Sequence, residues 1–96
     1  MPPATKCDLS STASPGDLSR RGWELTTAGA FEQALACHQI ATSAAGAGAL
    51  QWFHRGRTEQ AFGQDETAMS SFHRAVNWHS TPLPLAESQE AYFQLG

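Results

Sequence analysis

The chain has 96 residues, of which 41% are hydrophobic, and a formal net charge of −3. This length allows one small domain at most, and the apolar content favours a folded core over general disorder. The acidic balance argues against a nucleic-acid-binding protein, which needs a basic surface, and the apolar runs are too short to span a membrane.

The N-terminal stretch MPPATKCDLSSTA is rich in Pro, Ser and Thr and shows no hydrophobic periodicity. It is predicted to form a disordered tail over residues 1–13, followed by a domain over residues 14–96. Because the tail has neither the basic start nor the apolar run of a signal peptide, the expected location is cytoplasmic.

A first helix is predicted to begin after Ser14. This serine can act as the N-cap, Pro15 suits the first helical position, and Asp17 stands three residues after the cap. Apolar residues then share one face as far as Gly29, which is expected to end the helix with a positive φ.

Apolar residues at spacings of three and four predict four more helices. These lie around residues 31–41, 50–63, 68–76 and 86–96. AAGAG at 44–48 is typical of a turn, and HSTPLP at 79–84 interrupts the pattern because proline has no N–H to donate. No sustained alternation predicts a strand, so the fold class is all-α, built from helical hairpins.

Small residues recur at the same intervals in the two halves of the chain, 34 residues apart. They are Gly22, Gly29, Ala34 and Ala41 in the first half and Gly56, Gly63, Ala68 and Ala75 in the second. Glycine inside a helix costs about 1 kcal/mol relative to alanine. Its recurrence at mid-helix therefore predicts a close approach of two helices, which only small side chains permit.

This spacing resembles that of the tetratricopeptide repeat (TPR) family, whose unit of about 34 residues is a helix–turn–helix. Trp52 and Phe72 also stand at family positions, whereas Arg21 and Arg55 stand where leucine is usual and His38 replaces an aromatic residue. The resemblance implies a short right-handed solenoid of about five helices, stacked as antiparallel hairpins. Its units would be repeat one at 15–48, repeat two at 49–82 and the first helix of a third unit at 84–96.

The resemblance further implies a non-catalytic module that binds a peptide or protein in a concave groove lined by the first helix of each repeat. The positions carried onto this chain are Trp23, Thr26, Thr27, Phe53, Arg57, Gln60 and Phe93. Trp23 and Phe53, together with Arg57, are the strongest candidates for a binding hot spot. The alternative is that both aromatic side chains pack against neighbouring helices.

The arginines favour an acidic partner, because four of the six Lys and Arg residues lie on the first helices. The alternative is that Arg20–Glu24 and Arg55–Glu59 are surface ion pairs, worth about 0.2–0.5 kcal/mol each. For these two pairs the second interpretation is preferred.

Catalysis, a metal and a cofactor are not expected. The four histidines are His38, His54, His73 and His79; they show no metal-binding spacing and are expected to be solvated or capping. Cys37 cannot act with the adjacent histidine as a nucleophile–base pair, because neighbours on a helix point about 100° apart.

Two cysteines are too few for a disulfide framework. Cys7 lies in the expected tail and Cys37 in an expected helix, so a reducing compartment is inferred and Cys37 is expected to be a small buried hydrophobic residue.

Two further functions stay open at this point. The chain could be an assembly segment of a longer TPR protein, since Tyr92, Phe93 and Leu95 would leave an apolar last helix free to dock on another chain or a second copy. It could also be a helical accessory domain of an enzyme or a transcription regulator.

Overall fold

Five α-helices follow one another along the chain. The computed structural model describes residues 5–78 and 82–96, and these contain no β-strand. The helices are α1 (Pro15–Thr27), α2 (Phe31–Ser43), α3 (Ala49–Ala61), α4 (Asp65–Val76) and α5 (Leu85–Leu95). The all-α prediction is confirmed. The predicted interruption at 79–84 falls partly outside the described residues, and its described part, 82–84, is not helical.

The start of α1 follows the sequence signal. Ser14 Oγ accepts a hydrogen bond of 3.1 Å from the backbone N–H of Asp17, and Pro15 occupies the first helical turn. The cap satisfies one of the N–H groups that a helix start leaves without a partner. At the start of α3 the backbone N–H of Gly48 donates to Gln51 Oε1 at 2.7 Å, so a glutamine side chain covers that end.

The turn between α1 and α2 is repeated between α3 and α4. Gly29 has a φ of 82° and Gly63 a φ of 81°, which confirms the predicted left-handed conformation at both glycines. The backbone hydrogen bonds of the turns also match after a shift of 34 residues. They are Ala28 to Glu24, Gly29 to Thr26 and Ala30 to Leu25 in the first turn, and Phe62 to Thr58, Gly63 to Gln60 and Gln64 to Glu59 in the second.

The helices of each hairpin approach closely at the mid-helix glycines. A Cβ added at Gly22 would lie 2.6 Å from the ring of His38, and one added at Gly56 would lie 3.0 Å from the ring of Phe72. His38 and Phe72 are themselves equivalent residues of α2 and α4. The predicted reason for these glycines is therefore confirmed, since a side chain there would overlap the ring of the second helix.

The core consists of one cluster inside each hairpin, and the cluster of the second hairpin continues under α5. All four repeated alanines are buried; they are Ala34, Ala41, Ala68 and Ala75. Phe53 and Phe72 pack with Ala91 of α5 in the second half of the core. Phe31 at the start of α2 stacks on Phe62 after α3, with ring centroids 5.2 Å apart, and this contact joins the two hairpins.

The segment before α1 differs from the expected tail. Cys7 is joined to Cys37 of α2 by a disulfide, and Asp8 makes an ion pair with Arg21 of α1. Residues 5–13 are therefore attached to the first hairpin, and Cys37 is not a free hydrophobic thiol. A disulfide is typical of an oxidising compartment, so the inference of a reducing compartment loses its basis.

The first helices of the hairpins form a row. Helix α3 packs against α1 and, over a smaller area, against α5. Helix α2 packs against both α1 and α3, and α4 packs against both α3 and α5. This row brings side chains from three separate parts of the sequence to one face of the molecule.

Candidate functional site

The face formed by α1, α3 and α5 carries a stack of charged and aromatic side chains. The guanidinium carbon of Arg57 lies 4.2 Å from the centre of the Trp23 ring, and Arg57 Nε lies 3.6 Å from a carboxylate oxygen of Glu90. Each of the three helices contributes one of these residues. All three are partly exposed, so a partner can contact them from solvent. We call Trp23, Arg57 and Glu90 the arginine stack.

A pocket of about 210 Å³ opens beside this stack, between α1 and α3. Its lining residues are Gly16, Ser19, Arg20, Trp23, Glu24, Leu50, Gln51 and His54. Ser19 Oγ and His54 Nδ1 are both buried, and neither has a hydrogen-bond partner in the described part of the chain. Burial lowers the pKa of His54, and nearby Arg57 lowers it further, whereas Glu87 and Glu90 act in the opposite direction. The imidazole is therefore held in its neutral form at the pocket.

The other residues predicted to line the groove lie partly on this face and partly elsewhere. Thr27 is exposed and its hydroxyl donates to the backbone oxygen of Glu24. Gln60 is exposed and donates to Gln94 Oε1 at 2.6 Å, which ties α3 to α5. Phe93 is 81% exposed on α5. The structure therefore brings Trp23 and Arg57 together, and places Gln60 on the same row of helices.

Two of the named residues cannot meet a partner. Phe53 is 0% exposed and packs against Phe72, with ring centroids 5.9 Å apart. Thr26 is buried too, and its hydroxyl donates to the backbone oxygen of Gly22 at 2.7 Å. The prediction of a solvent-facing Trp23–Phe53 pair was wrong, because α5 covers the flank of α3 on which Phe53 lies.

A buried polar chain crosses the hairpins behind this face. The hydroxyl of Thr26 lies 2.7 Å from that of Thr58, and Thr58 Oγ1 lies 2.8 Å from His38 Nε2. The expectation that His38 is solvated or capping was wrong, since it is 0% exposed and burial lowers its pKa to about 3. A neutral, buried imidazole linked to hydroxyl groups holds helices together, and it is not positioned to exchange protons with solvent.

Sequence reasoning missed a second cluster on the opposite side of α3. The guanidinium carbons of Arg55 and Arg74 lie 5.0 and 4.8 Å from the Trp52 ring. Arg55 Nε lies 3.7 Å from the buried carboxylate of Glu59, which accepts a hydrogen bond from Ser71. The predicted Arg55–Glu59 pair is therefore present, but it is largely buried, whereas Arg20 pairs with Asp17 at 2.5 Å instead of with Glu24. The signal for the cluster was available: arginine stands at the same repeat position in Arg21 and Arg55.

Metal-binding donor atoms approach one another at a single place among the described residues. The sulfurs of Cys7 and Cys37 and a carboxylate oxygen of Asp8 lie within 4.8 Å of one another. The two sulfurs are bonded to each other and the carboxylate is engaged by Arg21, so none of the three is free to act as a ligand.

Comparison with protein-family models, curated proteins and solved structures finds no match to this chain. Among the described residues, none of the helices combines the length and the apolar character that crossing a bilayer demands.

Proposed function

We propose that the chain is a non-catalytic binding module of the TPR type, which holds an extended segment of a partner protein along the face formed by α1, α3 and α5. The arginine stack is the observation that carries this proposal. It joins the three first helices, presents an aromatic ring and a guanidinium group to solvent, and borders a pocket between α1 and α3. Aromatic and arginine side chains next to a pocket are the features that binding hot spots share.

The size of the pocket favours a side chain over a cofactor. At about 210 Å³ it is smaller than the roughly 300–1,000 Å³ typical of small-molecule sites. Trp23 and Leu50 supply its apolar surface. We therefore expect one apolar side chain of the partner to enter here while the rest of the bound segment crosses the arginine stack.

The charges on this face weaken the prediction of an acidic partner that was made from the sequence. Arg57 is paired with Glu90 and Arg20 with Asp17, so the two arginines are already matched by carboxylates. Apolar contact in the pocket is therefore the larger source of affinity in this proposal.

Peptide selection followed by substitution tests the proposal. Peptides from a random library displayed on phage would be selected on the whole protein and then measured against variants. We expect Leu50→Ala and Trp23→Ala to weaken binding at least about tenfold, and Met69→Ala to leave it unchanged, since Met69 is exposed on α4. Far-UV circular dichroism would verify that each variant stays helical. The proposal fails if no peptide is enriched, or if the selected peptides bind all three variants equally.

A second candidate function is self-association through α5. Its outer surface exposes Leu85 to 75%, Tyr92 to 57% and Phe93 to 81%. Exposed apolar surface of this kind generally marks sites of contact with other proteins, which supports this candidate. Sedimentation at increasing concentration tests the idea: dimer formation that Phe93→Ser removes supports it, and a monomer at all concentrations excludes it.

A further inference from the structure

The first hairpin carries a segment of its own chain in a groove between its two helices. Arg21 Nε lies 3.1 and 3.0 Å from the two carboxylate oxygens of Asp8, and Arg21 Nη2 lies 2.6 Å from one of them. These hydrogen bonds lower the pKa of Asp8 and hold it as a carboxylate. One residue earlier, Cys7 is bonded to Cys37 of α2 and packs against the buried cluster to which Leu25 of α1 belongs. A segment that carries one carboxylate, that of Asp8, therefore bridges α1 and α2.

The second hairpin has a groove at the equivalent place, and no segment of the described chain lies in it. A shift of 34 residues takes Arg21 to Arg55 and Cys37 to Ser71. Both of these equivalent residues line one pocket of about 210 Å³ between α3 and α4. The complete lining is Trp52, Arg55, Glu59, Thr67, Ser70, Ser71 and Arg74. The second hairpin thus retains the arginine, has Glu59 in place of Leu25, and gains a second arginine, Arg74, in place of Ile40.

The groove of the second hairpin offers hydrogen-bond donors that lack acceptors. Arg55 Nε and Trp52 Nε1 are both buried and have no hydrogen-bond partner among the residues that the structure describes. Two guanidinium groups border the groove against one carboxylate, that of Glu59, which pairs with Arg55 and accepts from Ser71. Arg55 Nη1 also donates to Thr42 at 3.0 Å, so Arg74 is the guanidinium group that has no carboxylate partner among the described residues. Buried donors without acceptors are costly, so an acceptor that enters the groove gains more there than it would on an open surface.

We propose that the groove formed by Trp52, Arg55 and Arg74 binds a segment of a partner protein that presents an acidic side chain. Its carboxylate lies against Arg55 as the carboxylate of Asp8 lies against Arg21, and Arg74 supplies a second positive charge. Arg55 and Arg57 are two residues apart on one helix and so point about 200° apart around it. The groove is therefore separate from the face of the arginine stack, and this inference does not rest on the function proposed for that face.

A peptide copied from the N-terminal segment of the chain can serve as a probe for this groove. A synthetic peptide with the sequence of residues 5–13, carrying Cys7→Ser, would be titrated into the intact, oxidised protein, whose own segment then stays bonded in the first groove. The three tryptophans, Trp23, Trp52 and Trp78, each give an indole N–H signal in a ¹⁵N NMR spectrum. We expect a saturable shift of the Trp52 signal and unchanged signals for the other two.

Matched variants test whether peptide binding depends on the charges of the peptide carboxylate and of the groove arginines. A second peptide with Asp8→Asn removes only the carboxylate, and Arg74→Gln removes only the outer guanidinium group. We expect each change to weaken binding at least tenfold, and Arg20→Gln, which alters an exposed arginine on α1, to have no effect. Equal binding of the two peptides, a shift at Trp23 in place of Trp52, or no saturable shift at peptide concentrations of about 1 mM would overturn the proposal.

Discussion

His38 Nε2 and Thr58 Oγ1 lie 2.8 Å apart in the interior, on helices of different hairpins. The direction of the chain of hydrogen bonds follows from its far end. Thr26 donates its only hydroxyl proton to the backbone oxygen of Gly22, so it accepts from Thr58, and Thr58 in turn accepts from His38 Nε2–H. The imidazole is therefore neutral with its proton on Nε2, and Nδ1 is buried without a hydrogen-bond partner in residues 5–78 and 82–96.

The first prediction is that acid destabilises the protein through His38. Its pKa is about 3 in the folded state and near 6.5 when unfolded, so the unfolded chain binds the additional proton between these values. Stability is full above pH 6.5 and falls as the pH is lowered through this window. Between pH 6.5 and 4.5 the free energy of unfolding should decrease by about 2 kcal/mol, measured by urea denaturation at each pH.

The variant His38→Phe should remove this dependence, because phenylalanine does not titrate and already occupies the equivalent position 72. His73→Gln, at an exposed position of α4, is the control and should keep the full effect. If the free energy of unfolding of His38→Phe still decreases with pH in this range, the acid sensitivity comes from other groups.

The second prediction concerns the mid-helix glycines. Gly22→Ala should destabilise the protein by about 1–3 kcal/mol, because the new Cβ would lie 2.6 Å from His38, whose ring is enclosed on all sides. Gly56→Ala should be less harmful, since its contact with Phe72 is 3.0 Å and alanine recovers about 1 kcal/mol of helix propensity. Gly16→Ala, with open space around it, should be neutral or stabilising. Thermal unfolding of the three variants measures their order of stability. A Gly22→Ala variant as stable as the natural chain would contradict the close approach of α1 and α2.

Local patterns in the sequence predicted most of the fold. The Ser14 cap, the two left-handed glycines and the repeated alanines each depend on residues within one hairpin, and all of them appear as expected. Such signals are readable because backbone conformation and helix contact at these positions tolerate few residue types.

Side-chain exposure on the first helices was not predictable in the same way. Helical spacing places Phe53 and Arg57 on one stripe, but it cannot tell how far a neighbouring helix covers that stripe. Ala91 of α5 closes over Phe53, whereas Arg57 reaches past it to Glu90. The Cys7–Cys37 bond could not be predicted either, because the segment that carries Cys7 has no periodicity from which its position could be inferred.

The third prediction is that the disulfide stabilises the folded chain. Cys7 and Cys37 are 30 residues apart, and closing a loop of this size typically contributes about 2–4 kcal/mol. Cys7→Ser should lower the melting temperature, and a dithiol reductant should lower that of the natural chain while leaving the variant unchanged. Trypsin cleavage after Lys6 should accelerate in both cases, because the segment around it loses its attachment to α2. An identical melting temperature of the natural chain with and without reductant would mean that the disulfide does not contribute to the stability of the fold.

The fourth prediction separates two phenylalanines that the sequence placed on one binding surface. Phe53→Ala should reduce the free energy of unfolding by about 3–5 kcal/mol, because the ring is fully enclosed among Phe72, Ala91 and their neighbours. Phe93→Ala should change it by no more than about 0.5 kcal/mol, since that ring is 81% exposed. Urea denaturation of both variants measures the difference. A small effect at Phe53 would mean that α5 does not cover α3 in solution, and Phe53 would then return to the face that carries the arginine stack.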